Sequence, residues 1–231
     1  MLRLEAVELA QEGFHLSADW ELPQGAIVAV IGPSGAGKSS LLSAIAGFFP
    51  PVSGEIYVGE QSLSGLSPGA RPLTILFQDQ NLFPHLTLAE NIGLGLHPSL
   101  KLSKAEQARV AEVLEQVDLA GLGERKPAQL SGGQLARAAL ARAMLRARPI
   151  LLLDEPFAAL GPALKIEMLA LVEKVARASG ATVLMVTHDP ADAQRIADLT
   201  VLVSDGTAHA PAPTEALFAN PPAALQAYLG Q

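Results

Sequence analysis

The residues whose types and spacing do chemistry begin at Ile27–Ser40, IVAVIGPSGAGKSS. From Gly32 to Ser39 the pattern is G-x-x-x-x-G-K-S, a phosphate-binding loop. Gly32, Gly35 and Gly37 allow positive φ angles and let the backbone approach an anion with no Cβ in the way. The loop amides and the start of the following helix then form a nest for phosphate oxygens. Gly32, Pro33, Ser34, Gly35, Ala36, Gly37, Lys38, Ser39 and Ser40 make up this candidate cradle. Lys38 reaches the β- and γ-phosphates in this reading, and the Ser39 hydroxyl ligates Mg²⁺. The plain alternative is a glycine-rich turn that binds nothing. An apolar strand before the loop and a helix pattern after it argue against that.

Four further groups narrow the chemistry. Ile150–Asp154 followed by Glu155 is an apolar strand ending in two acids. Asp154 at the strand tip suits Mg²⁺, mostly through water, and Glu155 suits a base for the attacking water. Ser131, Gly132, Gly133 and Gln134 open a second helix, where Ser131-x-x-Gln134 fits a capping box. Its amides offer a second anion site with no lysine of its own. Spacing alone leaves an ordinary glycine turn equally open there. Gln78 follows the strand Leu73–Phe77, where an amide can touch Mg²⁺ or water; on physical grounds alone it reads more readily as a surface residue. His188 follows a buried strand and can contact a γ-phosphate, though a lone histidine is more often structural.

These groups need elements to hold them. Leu2, Leu4 and, less regularly, Val7 and Leu9 suggest a half-buried strand, and Phe14–Leu22 a second. The phosphate-loop helix ends at Gly47, a natural C-cap. Gly54–Gly59 and Leu73–Phe77 read as short strands. From about Leu82 the periodicity turns helical, over Thr87–Leu94 and Ser103–Leu119, and then from the LSGGQ segment to Ala147. Strands resume at Ile150–Asp154, Ala181–Thr187 and Leu199–Ser204, alternating with helices over Pro162–Ser179 and from Asp189 to Ala197. Asp205-Gly206 is a hairpin turn. The tail from Thr214 reads as one or two short helices, Ala- and Pro-rich, with nothing assigned to it. The expectation is one α/β domain, core 1–81 and 148–231, with a helical subdomain inserted at 82–147.

Composition bounds the rest. The 231 residues are 49% hydrophobic and 17% charged, ample for a sizeable core. A net charge of −7 and no basic patch disfavour a nucleic-acid partner. The absence of cysteine excludes disulfides and thiolate metal sites. The first residues do not read as a signal peptide. No apolar run reaches the ~18–20 residues that span a bilayer, so membrane association is expected only through a partner.

Taken together, GPSGAGKSS (32–40), FQ (77–78), LSGGQ (130–134), ILLLDEP (150–156) and THD (187–189) resemble the nucleotide-binding subunits of ABC transporters, in that family's order and spacing. The resemblance covers essentially the whole chain. It implies a P-loop NTPase fold: a RecA-like core with an antiparallel β subdomain and the inserted helical subdomain. It implies a head-to-tail homodimer, with each ATP between Lys38 of one subunit and Ser131–Gln134 of the other. Glu155 is then the general base, His188 the γ-phosphate sensor, and Gln78 a metal-contacting coupling residue. The implied partners are integral-membrane permease subunits and, indirectly, a periplasmic solute-binding protein. The permease is expected to dock near Gln78, with Asn81, Leu82, Phe83 and His85 exposed. The implied location is the cytoplasmic face of the bacterial inner membrane.

Residues 76–102 and 150–169 resemble, more closely, the ATPases of bacterial thiamine and thiamine pyrophosphate importers. Another solute (sulfate, iron or polyamine) is the alternative, since membrane and periplasmic subunits choose the substrate. Three departures from the family pattern stand out. Ala158-Ala159-Leu160-Gly161 replaces a motif ending in aspartate, which leaves room for a weakly hydrolysing, ATP-dependent switch. Leu135-Ala136-Arg137 keeps one arginine of the usual run. No N-terminal aromatic is an obvious adenine stacker: Gln11 stands near the expected place, with Phe14 or His15 as substitutes.

Overall fold

The computed structural model describes every residue except Glu12, Gln80 and Gln231. Among the described residues, eleven strands form a continuous curled sheet. Its functional part is a parallel sheet in the order β9 (Leu199–Ser204), β3 (Ile27–Ile31), β8 (Thr182–Val186), β7 (Ile150–Asp154), β6 (Leu73–Leu76). All five residues of β3 and of β8 are buried, as expected of parallel strands covered on both faces. In β3, Val28 and Val30 join one core cluster with Leu41, Leu42 and Ile45 of α1 (Lys38–Ala46). Ala29 and Ile31 face the other way, toward α6 (Pro190–Ile196) and α8 (Ala223–Leu229).

An antiparallel layer of β1 (Leu2–Gln11), β2 (Phe14–Leu22), β4 (Ser53–Val58) and β5 (Gln61–Ser62) extends this sheet. The irregular apolar spacing of β1 has a local cause. A bulge shifts the register between Leu4 and Val7, with Ala6 at φ 45° and its N–H donating to Asp19 Oδ1 at 3.2 Å. The extra residue lets Leu2, Leu4, Val7 and Leu9 all point inward. The Asp205-Gly206 turn brings β10 (Thr207–Ala208) back against β9, and β10 also lies parallel to β2. That two-residue strand joins the layers, and Trp20 Nε1 donates to the Ala208 carbonyl at 2.9 Å. A further short strand, β11 (Ala212–Pro213), pairs with β9 ahead of α7 (Thr214–Ala219).

Between β6 and β7 run α2 (Leu88–Gly93), α3 (Lys104–Gln116) and α4 (Gly132–Arg146). Thr87 and Ser103 close capping boxes with Glu90 and Glu106. These helices bury a cluster of their own, including Ile92, Val110, Leu114 and Leu145. An isolated helix of α3's length is marginal in water, so this packing supplies its stability. One face of α4 carries Ala136, Ala139 and Leu140 into the core beside α5 (Pro162–Ser179).

Candidate active site

The carboxyl ends of β3, β7 and β8 converge on one cavity of about 580 Å³, where ligands collect in open α/β sheets. It is lined by Phe14, Gly32, Ser34, Gly35, Gly37, Lys38, Ser39, Ser40, Glu155, His188 and Tyr228. The loop curls because two of its glycines have no substitute. A Cβ on Gly32 meets the Val203 carbonyl oxygen at 2.1 Å, and one on Gly37, at φ 101°, meets the Phe14 ring at 2.4 Å. Gly37 is the N-cap of α1, whose first turn carries no acid, so the positive end of the helix faces the cavity.

Lys38 is nearly buried, and its Nζ donates to the Gly32 and Pro33 carbonyls, both at 2.8 Å. Burial lowers the ammonium pKa, while the Glu155 and Asp154 carboxylates partly offset that. Among the described residues the cation is thus held without a direct ion pair, available to an anion. Ser39 Oγ donates to Asp154 Oδ1 at 2.8 Å. Burial raises the Asp154 carboxyl above its ordinary range, opposed by the Ser39 hydrogen bond, while Glu155 pushes it further up and Lys38 back down.

Glu155 adopts φ 45°, a left-handed corner that side chains rarely take. Its N–H donates to Val186 O at 3.2 Å, crossing to β8. Its Oε2 lies 3.1 Å from His188 Nδ1. A polar knot fixes the chain around that histidine. Thr187 Oγ1 donates to Asp192 Oδ2 at 2.6 Å and accepts from Asp189 N–H at 3.1 Å. Lys165 of α5 pairs with both Asp189 and Asp192.

Not every residue singled out in the sequence enters this cavity. Gln78 is exposed beyond the end of β6, outside the lining residues. Ser131–Gln134 are also outside it. There Ser131 Oγ accepts from Gln134 N–H at 3.3 Å and Gln134 Oε1 from Ser131 N–H at 2.9 Å, a closed capping box at the start of α4. Gly133 packs closely on α5, where a Cβ would meet the Leu164 methyl at 2.5 Å and make that side chain shift, whereas Gly132 is exposed. Among the described residues no group of three or more His, Cys, Asp or Glu is placed to hold a metal.

A family model described as "ABC transporter" matches residues 16–158. The chain belongs to the ABC transporter family. It is 64% identical to the thiamine import ATP-binding protein ThiQ of Cereibacter sphaeroides, over 100% of both chains. It is 55% identical to the protein of that name from Ruegeria sp., again over 100% of both. With the one from Yersinia pseudotuberculosis it shares 49% over 94% of this chain and 92% of that one. Among solved structures, it resembles the dimeric post-hydrolysis state of the ATP-binding cassette MJ0796 bound to ADP and Pi. That match has a TM-score of 0.79 and 30% identity over 93% of this chain and 99% of the other.

Within this ABC transporter ATPase, the departures noted in the sequence have local settings. Gly161 is the N-cap of α5 at φ −65°, with nothing within 4 Å of a Cβ placed on it, so an aspartate fits there without strain. Arg137 pairs with Asp118 at 2.7 Å and Glu167 at 3.1 Å, tying α4 to the end of α3 and to α5. Of the three residues weighed for adenine, Phe14 lines the cavity; His15 is 63% exposed and paired with Glu8 at 2.7 Å. One expectation is corrected: Leu82 is half-buried against the helical and core clusters, while Asn81, Phe83 and His85 are exposed. Reading by motif missed Tyr228, whose hydroxyl donates to the His188 carbonyl at 2.7 Å. Its only sequence signal is that it is the one tyrosine of an Ala-rich tail.

Proposed function

We propose that the protein hydrolyses ATP to power import of thiamine and its phosphates through a membrane permease. The observation that carries the ATPase reading is the shared cavity of Lys38, Ser39, Glu155 and His188, with Asp154 bound to Ser39 behind it. The loop amides and Lys38 hold the phosphates, the lysine exchanging its carbonyl partners for phosphate oxygens. Glu155 takes the proton of the water that attacks the γ-phosphorus, as the bond to the leaving ADP breaks. His188 orients that end of the site, its ring steered by Glu155.

Ser39 and Asp154 are oxygen donors of the kind Mg²⁺ prefers, and two protein ligands suit an ion that keeps waters and phosphate oxygens. That ion would neutralise charge on the phosphates. Gln78, exposed just beyond the end of β6, is the remaining metal-contacting candidate.

The exposed start of α4 supports a head-to-tail homodimer, in which Ser131–Gln134 of one subunit complete the ATP site of the other. Helix amides without a cation of their own suit the far side of a triphosphate. Exposed Phe48 and Phe83, with Asn81 and His85 nearby in sequence, support a permease-docking face next to Gln78. No helix among the described residues is long and apolar enough to cross a membrane. In this reading the ATPase sits on the cytoplasmic face of the inner membrane through the permease, and a periplasmic binding protein reaches it only indirectly.

Thiamine rests on the full-length relatives named for thiamine import. The test is uptake of labelled thiamine in cells lacking the gene, complemented by wild type or Lys38→Ala. Uptake restored by the wild type alone is the expected result. Equal uptake with and without the gene, in cells with no second thiamine importer, removes thiamine as the substrate.

A further inference from the structure

The C-terminal helix α8 reaches the reacting end of the cavity. Leu225 is fully buried in a cluster with Ala29 and Ile31 of β3, Ala193 of α6 and Leu202 of β9. It therefore rests on both the strand that feeds the phosphate loop and the helix that follows His188. Three residues on, on the same helix face, Tyr228 lines the cavity with Glu155 and His188. Its hydroxyl donates to the His188 carbonyl at 2.7 Å, while Glu155 meets the His188 ring at 3.1 Å. His188 is thus gripped twice, by the ring and by the peptide. Burial raises the Tyr228 hydroxyl pKa, and the Asp189 and Glu155 carboxylates raise it further. Both effects favour the protonated hydroxyl, the form that donates.

We propose that Tyr228 is a positioning residue for His188, and that the γ-phosphate end of the site depends on the seating of α8. The proposal rests on the ATPase reading above. The side chain of His188 follows the orientation of its own peptide, at a junction between β8 and α6. The tyrosine bond removes one way for that peptide to turn. The ring keeps its pairing with Glu155 only while the peptide holds still.

The test compares wild type, Tyr228→Phe and Tyr228→Ala in the full chain. Tyr228→Phe removes the hydroxyl and keeps the ring. It is expected to lower kcat by about threefold to tenfold, the loss of one hydrogen bond, with KM for ATP within about twofold. Tyr228→Ala is expected to lower kcat no less. Amide exchange over Thr187–Ala191 should quicken in Tyr228→Phe, while the strands stay protected. Wild-type kcat in Tyr228→Phe with a defect only in Tyr228→Ala makes the ring a packing element and overturns the proposal. So does a rise in KM alone, or unchanged exchange at 187–191. Should the wild type release no more phosphate than Lys38→Ala, the ATPase reading itself fails. The exchange comparison then still decides whether Tyr228 positions His188.

Discussion

Glu155 occupies a left-handed backbone corner and shares a contact with His188. Both facts make sense for a base held ready beside a phosphate, since backbone strain persists only where surrounding bonds impose it. Glu155→Gln keeps the size and shape of the side chain but exchanges one carboxylate oxygen for an amide and cannot take a proton. Steady-state phosphate release should fall at least about a hundredfold, with ATP binding retained. Turnover at the wild-type rate would remove Glu155 from the base role. At this scale the sequence was most legible for the phosphate loop, because an anion nest demands glycines and a lysine at one spacing. It was least legible for Tyr228, which meets His188 across forty positions of chain. The LSGGQ segment lies between. Its capping box is a local matter, but the close packing at Gly133 comes from Leu164 on another helix.

Among the elements, β3 matters most, because its end aims the phosphate loop. Its start is clamped by Asp198, whose Oδ2 accepts from Ile27 N–H at 2.8 Å and from Arg177 Nη1 of α5 at 2.9 Å. The Arg177 hydrogen bonds hold the Asp198 carboxyl below its ordinary range, against the effect of partial burial. A depressed carboxylate stabilises the fold above its unfolded value of 3.8 and loses that contribution as the pH falls through the lower, folded-state value. Asp198→Asn should therefore lower stability near neutrality by a few tenths to about 1 kcal/mol, since solvent screens this half-exposed pair, and its gap from wild type should narrow as the pH drops below about 4. Urea unfolding of both proteins measures this. A gap that holds constant from about pH 6 down to about pH 3 would assign the effect to shape and not to charge. The longer elements were readable because each carries its own period or cap. The two-residue strands β5, β10 and β11 carry neither. The wavering period of β1 became regular once the bulge at Ala6 was placed.

At the scale of the molecule, the Ser131 end of α4 and the phosphate loop do not share a cavity within one chain. In a head-to-tail dimer each active site draws on both copies. Lys38→Ala and Ser131→Arg should each abolish hydrolysis alone. Mixed together, they form heterodimers in which one site carries both lesions and the other carries neither. Activity of about a quarter of wild type should return on mixing, since half the dimers are mixed and half their sites are whole. A mixture as inactive as its components would sink the shared-site arrangement. The opposite result from a single variant, full activity in Ser131→Arg, would exclude the signature helix from the site altogether.

The sequence by itself determined the local patterns: which loop has the spacing of a phosphate cradle, which strand ends in the two acids, where the longer helices start and stop. These follow from spacing within a few residues, where backbone geometry leaves little choice. Tertiary structure alone decided the sheet order, with β10 joining two layers, and which partners the polar groups meet. It put Ser39 against Asp154, Glu155 against His188, and the unassigned tail against both β3 and His188. Such contacts join residues that are distant in the chain. They form because burying apolar faces such as those of β3 and α8 fixes where each strand end and helix turn must lie, and no local pattern records that outcome.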